Sequence, residues 1–192
     1  MNPTIPLVVS ILALVVSGVT AWLTLLRRGR LRMTQPATIF LGEDGGGLPG
    51  QRAPMKVYLR TLLFSTSRRG QTIESLHLNV QRGDSKQNFS TWVYGEEKLS
   101  RGSGLHVGFQ GIVCNHHFLI AKDGTDFRFL AGDYTIRVLA KLVEDRAPAQ
   151  LSEIRLHISE PQARELVEPM TGVHFDWSPD QQKYHSHVGR RK

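Results

Sequence analysis

The chain changes character sharply after its first thirty residues. Ile5 to Leu26 (IPLVVSILALVVSGVTAWLTLL) is an apolar run of 22 residues without Asp, Glu, Lys or Arg. At about 1.5 Å rise per residue it predicts a helix of about 33 Å, matching a hydrocarbon core of about 30 Å. Beyond it the pattern is that of strands. Thr38–Leu41, Lys56–Thr66, Ile73–Val80, Asn88–Tyr94, Leu105–Phe109, Ile112–Ile120, Phe127–Leu130, Tyr134–Val143 and Leu151–Ile158 are short β-rich runs. In the third of these, Leu76, Leu78 and Val80 alternate with His77 and Asn79, the period of a half-buried strand. The runs around Gly111 predict two strands joined by a tight turn, while GEDGGGLPGQRAP (42–54) reads as a loop.

A run of strands without intervening helices predicts an antiparallel sandwich or barrel. One helix is expected after the series. Ser159-Glu160-Pro161-Gln162 offers an N-cap serine, a first-turn proline and a glutamine three residues after the cap, and Pro169 limits the helix to about two turns. Val173–Trp177 and Lys183–Val188 then flank SPDQQ as a C-terminal β-hairpin. The expected organisation is a transmembrane helix over 5–26, a basic juxtamembrane segment over 27–36, a sandwich over 37–158, and a helix, hairpin and basic tail over 159–192.

Leu130-Ala131-Gly132-Asp133-Tyr134-Thr135-Ile136-Arg137-Val138 resembles the entry to the penultimate strand of immunoglobulin-like and fibronectin-type sandwiches. In those folds a tyrosine at this corner bonds to backbone upstream, and the resemblance implies that role for Tyr134. It is specific over these residues and a matter of pattern over 37–158. The chain has one cysteine, Cys114, so the inter-sheet disulfide of antibody domains is absent. Such a fold hosts many unrelated roles.

Charge excludes one partner class. The net charge is +7, but Arg27, Arg28, Arg30 and Arg32 lie before the body and Arg190, Arg191 and Lys192 at its end. The 17 basic residues of 33–189 are matched by 17 acidic ones, so the body itself is neutral and no nucleic-acid partner is expected. The basic cluster after the apolar run predicts a single-pass inner- or plasma-membrane protein with its N-terminus outside and its body in the cytoplasm. Trp22 suits the headgroup region. The rival reading is a secretory signal cleaved near Gly18 or Ala21. Ala13, Ser17 and Ala21 recur every four residues, a spacing at which two membrane helices pack closely as a homodimer. Asn88-Phe89-Ser90 is a glycosylation sequon, relevant only in the reversed topology.

Signatures of chemistry are sparse. There is no phosphate-binding GxxxxGK[ST], no GxSxG and no HExxH, and Gly102-Ser103-Gly104 precedes a strand where a dinucleotide fingerprint needs a helix. The histidines stand out. Pairing Trp177 with Tyr184 puts Val173, Phe175, Trp177, Tyr184, Ser186 and Val188 on one face of the hairpin. The other face then gathers His174, Asp176, His185 and His187, a candidate site for a divalent metal. In Cys114-Asn115-His116-His117, Cys114 and His116 point one way and Asn115 and His117 the other, and Trp92 shares a face with Tyr94. His77, His106 and His157 read as structural. Together these features predict a membrane-anchored interaction or scaffolding module with an unidentified protein partner, the metal-binding hairpin being the alternative.

Overall fold

In the computed structural model, residues 4–44, 53–121 and 127–190 are described. The apolar run forms helix α1 (Thr4–Leu26), long and apolar enough to cross a bilayer. It is α-helical through Ala21 and widens over Trp22–Leu26, where the Arg27 amide donates to the Trp22 carbonyl five residues back. Its hydroxyls are satisfied internally: Ser10 donates to the Pro6 carbonyl, Thr20 to Val16 and Thr24 to Thr20. Lipid offers such groups no partner, so this back-bonding suits a helix without water around it. Every described residue of α1 except Thr24 is exposed to its surroundings.

The remainder is mainly β, and its strands form two antiparallel sheets. One holds β1 (Leu31–Met33), β2 (Thr38–Glu43), β3 (Met55–Ser65), β6 (Thr91–Gly95), β7 (Ser100–Arg101), β9 (Ile112–Leu119), β12 (Thr171–Ser178) and β13 (Lys183–Arg190). The other holds β4 (Gln71–Arg82), β5 (Ser85–Phe89), β8 (Leu105–Val107), β10 (Gly132–Leu142) and β11 (Ala149–Ile158). The first is ordered β13-β12-β2-β3-β9-β6-β7, with β1 continuing β2 along the edge of β3, and the second is ordered β11-β10-β4-β5. Over 38–158, β2 lies beside β3, β3 beside β9, and β11 beside β10 in the opposite sheet, which is the connectivity of an immunoglobulin-like sandwich.

Alternation along each strand builds one core between the sheets. Ile39, Leu41, Val57, Leu59, Phe118 and Phe175 come from the first, and Leu78, Val80, Ile136, Val138, Ile154 and Ile158 from the second. Tyr134 occupies the expected corner. Its hydroxyl accepts from the Leu130 amide and donates to the Leu130 carbonyl, both at 2.8 Å.

Helix α2 (Glu160–Glu165) has the predicted cap. The Ser159 side chain accepts from the Gln162 amide, and the Gln162 side chain accepts from the Ser159 amide at 2.9 Å. The chain then reaches the β12–β13 hairpin in the expected register, Trp177 opposite Tyr184. The hairpin pairs with β2 and so covers an edge that a minimal sandwich would leave open.

Three strand expectations give way, two of them to sheet switching. Leu105–Phe109 and Ile112–Ile120 do not form a hairpin: β8 pairs with β4 in one sheet and β9 with β3 in the other. Gly111, at φ 78°, turns the chain between them. Asn88–Tyr94 is not one strand, because Phe89 lies in β5 and Trp92 in β6, in opposite sheets. Over Phe127–Leu130 the rings of Phe127 and Phe129 pack on Phe89, while the Leu130 backbone bonds to Tyr134 instead of a ladder. The first sheet also begins at Leu31, inside the stretch read as juxtamembrane.

Candidate functional site

The register of the first sheet stacks its outward residues into rows crossing the strands. Where one face is buried, register fixes which side chains reach the other face. One row runs His187, His174, Phe40, Tyr58, His117 across β13, β12, β2, β3 and β9. The next, two residues along, runs Gly189, Gly172, Gly42, Lys56. On the other side of the aromatic row lie His185, Asp176, Thr38, Arg60 and Asn115.

The aromatic row is in ring contact at both ends. His174 stacks on His187 with centroids 5.1 Å apart and planes 9° from parallel, and Phe40 lies 4.8 Å from His174. Tyr58 and His117 meet at 5.0 Å. Burial is the main cause lowering the His174 pKa, helped by the His187 ring and opposed by Asp176, so His174 is neutral near pH 7.

The glycine row exists so that these rings can lie flat. A Cβ on Gly172 would stand 2.1 Å from the Phe40 ring, and one on Gly42 would stand 2.7 Å from the Gly172 Cα. The result is a groove of about 400 Å³ lined by Phe40, Tyr58, His117, His174 and Gly189, with Gly42 and Gly172 buried beneath the Phe40 ring. Lys56 is buried at one end, its Nζ 2.9 Å from Asp44 Oδ1 and 5.6 Å above the Phe40 ring centre. Glu43 accepts the Met170 amide at 3.0 Å, and Arg190 stands exposed at the rim.

The polar row is cross-linked and rigid. Tyr58 donates to Asn115 Oδ1 at 2.9 Å, Arg60 donates to the same oxygen at 2.6 Å, and Arg60 also reaches Glu96 at 3.1 Å. Burial, first among its causes, raises the Tyr58 pKa, so the phenol is a donor throughout the physiological range. Thr38 donates to Asp176 at 3.0 Å, and the other Asp176 oxygen lies 3.5 Å from His187 Nδ1.

The four hairpin residues named from the sequence therefore do share a face. His174 touches His187, His187 reaches Asp176, and His185 stands opposite Asp176. Among the described residues, no three His, Cys, Asp or Glu side chains are grouped so as to hold a metal ion. Cys114 and His116 face inward, as the alternation requires. Burial, the leading cause, raises the Cys114 pKa and keeps the thiol protonated, the wrong form for a nucleophile. Trp92 and Tyr94 also share their face, stacked at 4.7 Å against the core.

No protein-family model, curated protein or solved structure matches this chain.

Phe40, Tyr58 and Lys56 escaped the sequence reading. Their signal was present: Ile39 and Leu41 in β2, and Val57 and Leu59 in β3, leave an aromatic residue on the outward side of two neighbouring strands.

Proposed function

We propose that this is a single-pass membrane protein whose sandwich works as an interaction module, binding a protein partner in the groove on its first sheet. In this reading α1 crosses the bilayer with its N-terminus outside, and the arginines after it hold the sandwich on the cytoplasmic side of an inner or plasma membrane. The observation that carries it is the groove lined by the aromatic row, whose Phe40 and His174 rings are seated over Gly42, Gly172 and Gly189. Aromatic walls held by neighbouring strands give contact area at little entropic cost, the property that concentrates binding energy at protein interfaces. The chemistry that fits is an extended partner segment, an apolar side chain laid between the Phe40, Tyr58 and His174 rings and a carboxylate meeting the Arg190 guanidinium.

The test is site-specific photocrosslinking in native membranes. A photoreactive residue replacing Thr38, beside the groove, is expected to give a discrete adduct, and the same residue replacing Asn79, on the outward face of β4, is expected to give none. Equal adducts from both positions, or none from position 38, overturn the reading.

A further inference from the structure

Helix α1 and the sandwich are joined by four residues, Arg27 to Arg30, which span at most about 14 Å when fully extended. They are not a free tether. The Arg30 amide donates to Thr66 Oγ1 at 2.8 Å, and the Thr66 amide donates back to the Arg30 carbonyl at 3.0 Å. Gln71 Nε2 donates to the Gly29 carbonyl at 3.0 Å. Gly29 itself lies so close to the β3–β4 turn that a Cβ there would stand 2.6 Å from the Ser67 amide nitrogen. The end of the sandwich bearing that turn is thereby held against the end of the helix.

Three connections far apart in sequence form this end. They are the β3–β4 turn (66–70), the β8–β9 turn (108–111) and the β10–β11 turn (143–148). The Ser65 amide donates to the Gly108 carbonyl at 3.1 Å, and the Val143 amide donates to Thr72 at 3.0 Å, so the three are tied together. With residues 27–30 they carry six arginines, at 27, 28, 30, 68, 69 and 146, against two acidic residues, Glu144 and Asp145. Glu144 is shared by Arg69 at 2.9 Å and Arg28 at 3.9 Å, while Arg68 and Arg146 are exposed. Among these charges two large apolar side chains stand out in the open, Phe109 at 57% and Val143 at 61% exposure.

We propose that this end of the sandwich is a lipid-docking surface, with Arg68 and Arg146 on anionic headgroups and Phe109 and Val143 in the interface of the bilayer that α1 enters. The proposal rests on the reading of α1 as a membrane span. Its occupant is fixed by reach and charge together. The headgroup layer is about 5–8 Å deep on each side of the hydrocarbon, within the length of the joining segment. Cations attract an anionic leaflet, and apolar tips among them insert where headgroups meet acyl chains. Docking would fix the orientation of the sandwich and hold the groove of the first sheet at a set height above the membrane.

The experiment uses the full chain in nanodiscs of phosphatidylcholine, with or without phosphatidylglycerol. Spin labels are placed through Gln110→Cys, beside Phe109, and Lys86→Cys, at the opposite end of the sandwich, with Cys114 left buried and unlabelled. Accessibility to a water-soluble relaxing agent is the readout. Position 110 is expected to be protected in the anionic discs and accessible in the zwitterionic ones, and position 86 accessible in both. The double variant Arg68→Ser, Arg146→Ser is expected to lower the docked-to-undocked ratio roughly thirtyfold, about fivefold for each charge lost near the surface. Position 110 as accessible as 86 in anionic discs, protection equal in the two lipids, or protection unchanged by the double variant overturns docking alone. A chain that does not enter the discs overturns the span and the docking surface together.

Discussion

Inside the core, the indole nitrogen of Trp92 donates to Nδ1 of His116 across 3.1 Å, and the imidazole has no other hydrogen-bond partner among the described residues. Because Nδ1 accepts, the neutral ring carries its proton on Nε2. Burial, with a smaller contribution from the neighbouring His117, lowers the pKa of His116 from 6.5 to about 4.

This pair predicts acid sensitivity of a definite sign. The unfolded chain takes up the proton near pH 6.5 and the folded one only near pH 4, so acid favours unfolding in between. The contribution is fully present above pH 6.5 and falls as the pH drops, the loss reaching about 3 kcal/mol once both states are protonated. Urea unfolding of the detergent-solubilised protein across this range measures it. The His116→Leu variant is expected to flatten the slope between pH 6.5 and 4, and an unchanged slope would refute the assignment.

The corner made by Tyr134 predicts a second loss. Removing its hydroxyl leaves the Leu130 amide and carbonyl without the partner they share. Tyr134→Phe keeps the ring contact with Phe129, so the expected cost is about 1–3 kcal/mol for the abandoned polar groups alone. The denaturation midpoint should fall while its slope stays constant, since the unfolded state exposes the same surface.

How far the sequence reaches is visible in these two residues. Tyr134 was legible because its corner is local: the bond spans four residues and follows a Gly-Asp-Tyr pattern. The α2 cap and the β12–β13 register were legible for the same reason, each being a contest among near neighbours settled by periodicity or by one side chain. The groove was half legible. His174, Asp176 and His187 share a hairpin, and their common face follows from pairing within it. Their neighbours Phe40 and Tyr58 come from strands far earlier in the chain, and only the docking of the hairpin on β2 joins them. Sheet switching at Ser90 and around Gly108–Gly111 was illegible, because a strand that changes sheets keeps the same local alternation.

Gly172 and Phe40 form a testable couple. A methyl group on Gly172 must displace the Phe40 ring, whose edge sits where the Cβ would go. Gly172→Ala is expected to cost about 1–3 kcal/mol as overpacking. The same change made with Phe40→Ala should cost less than the sum of the separate effects, because the clashing ring is gone. Thermal midpoints of the four proteins give the coupling energy, and additive values would mean that the glycine serves something other than the ring.

The last prediction concerns the helix. A retained anchor requires that residues 5–26 stay in the mature protein, so its mass should include them and alkaline carbonate should leave it in the membrane pellet. The flanking charges then set direction, because basic residues resist crossing and acidic ones count for little. A reporter active only in the cytoplasm, fused after residue 192, should therefore be active in the native chain. Moving the charges, with Arg27→Gln and Arg28→Gln combined with Asn2→Arg and Thr4→Arg, should shift part of the population to the reverse orientation and lower that activity. The substitutions leave Arg30 and its bonds to Thr66 in place, so the sandwich keeps its contact with the joining segment whichever side it reaches. A native chain that is inactive in this assay and lacks its first residues would identify the helix as a cleaved signal, and the groove would then face a partner outside the cytoplasm.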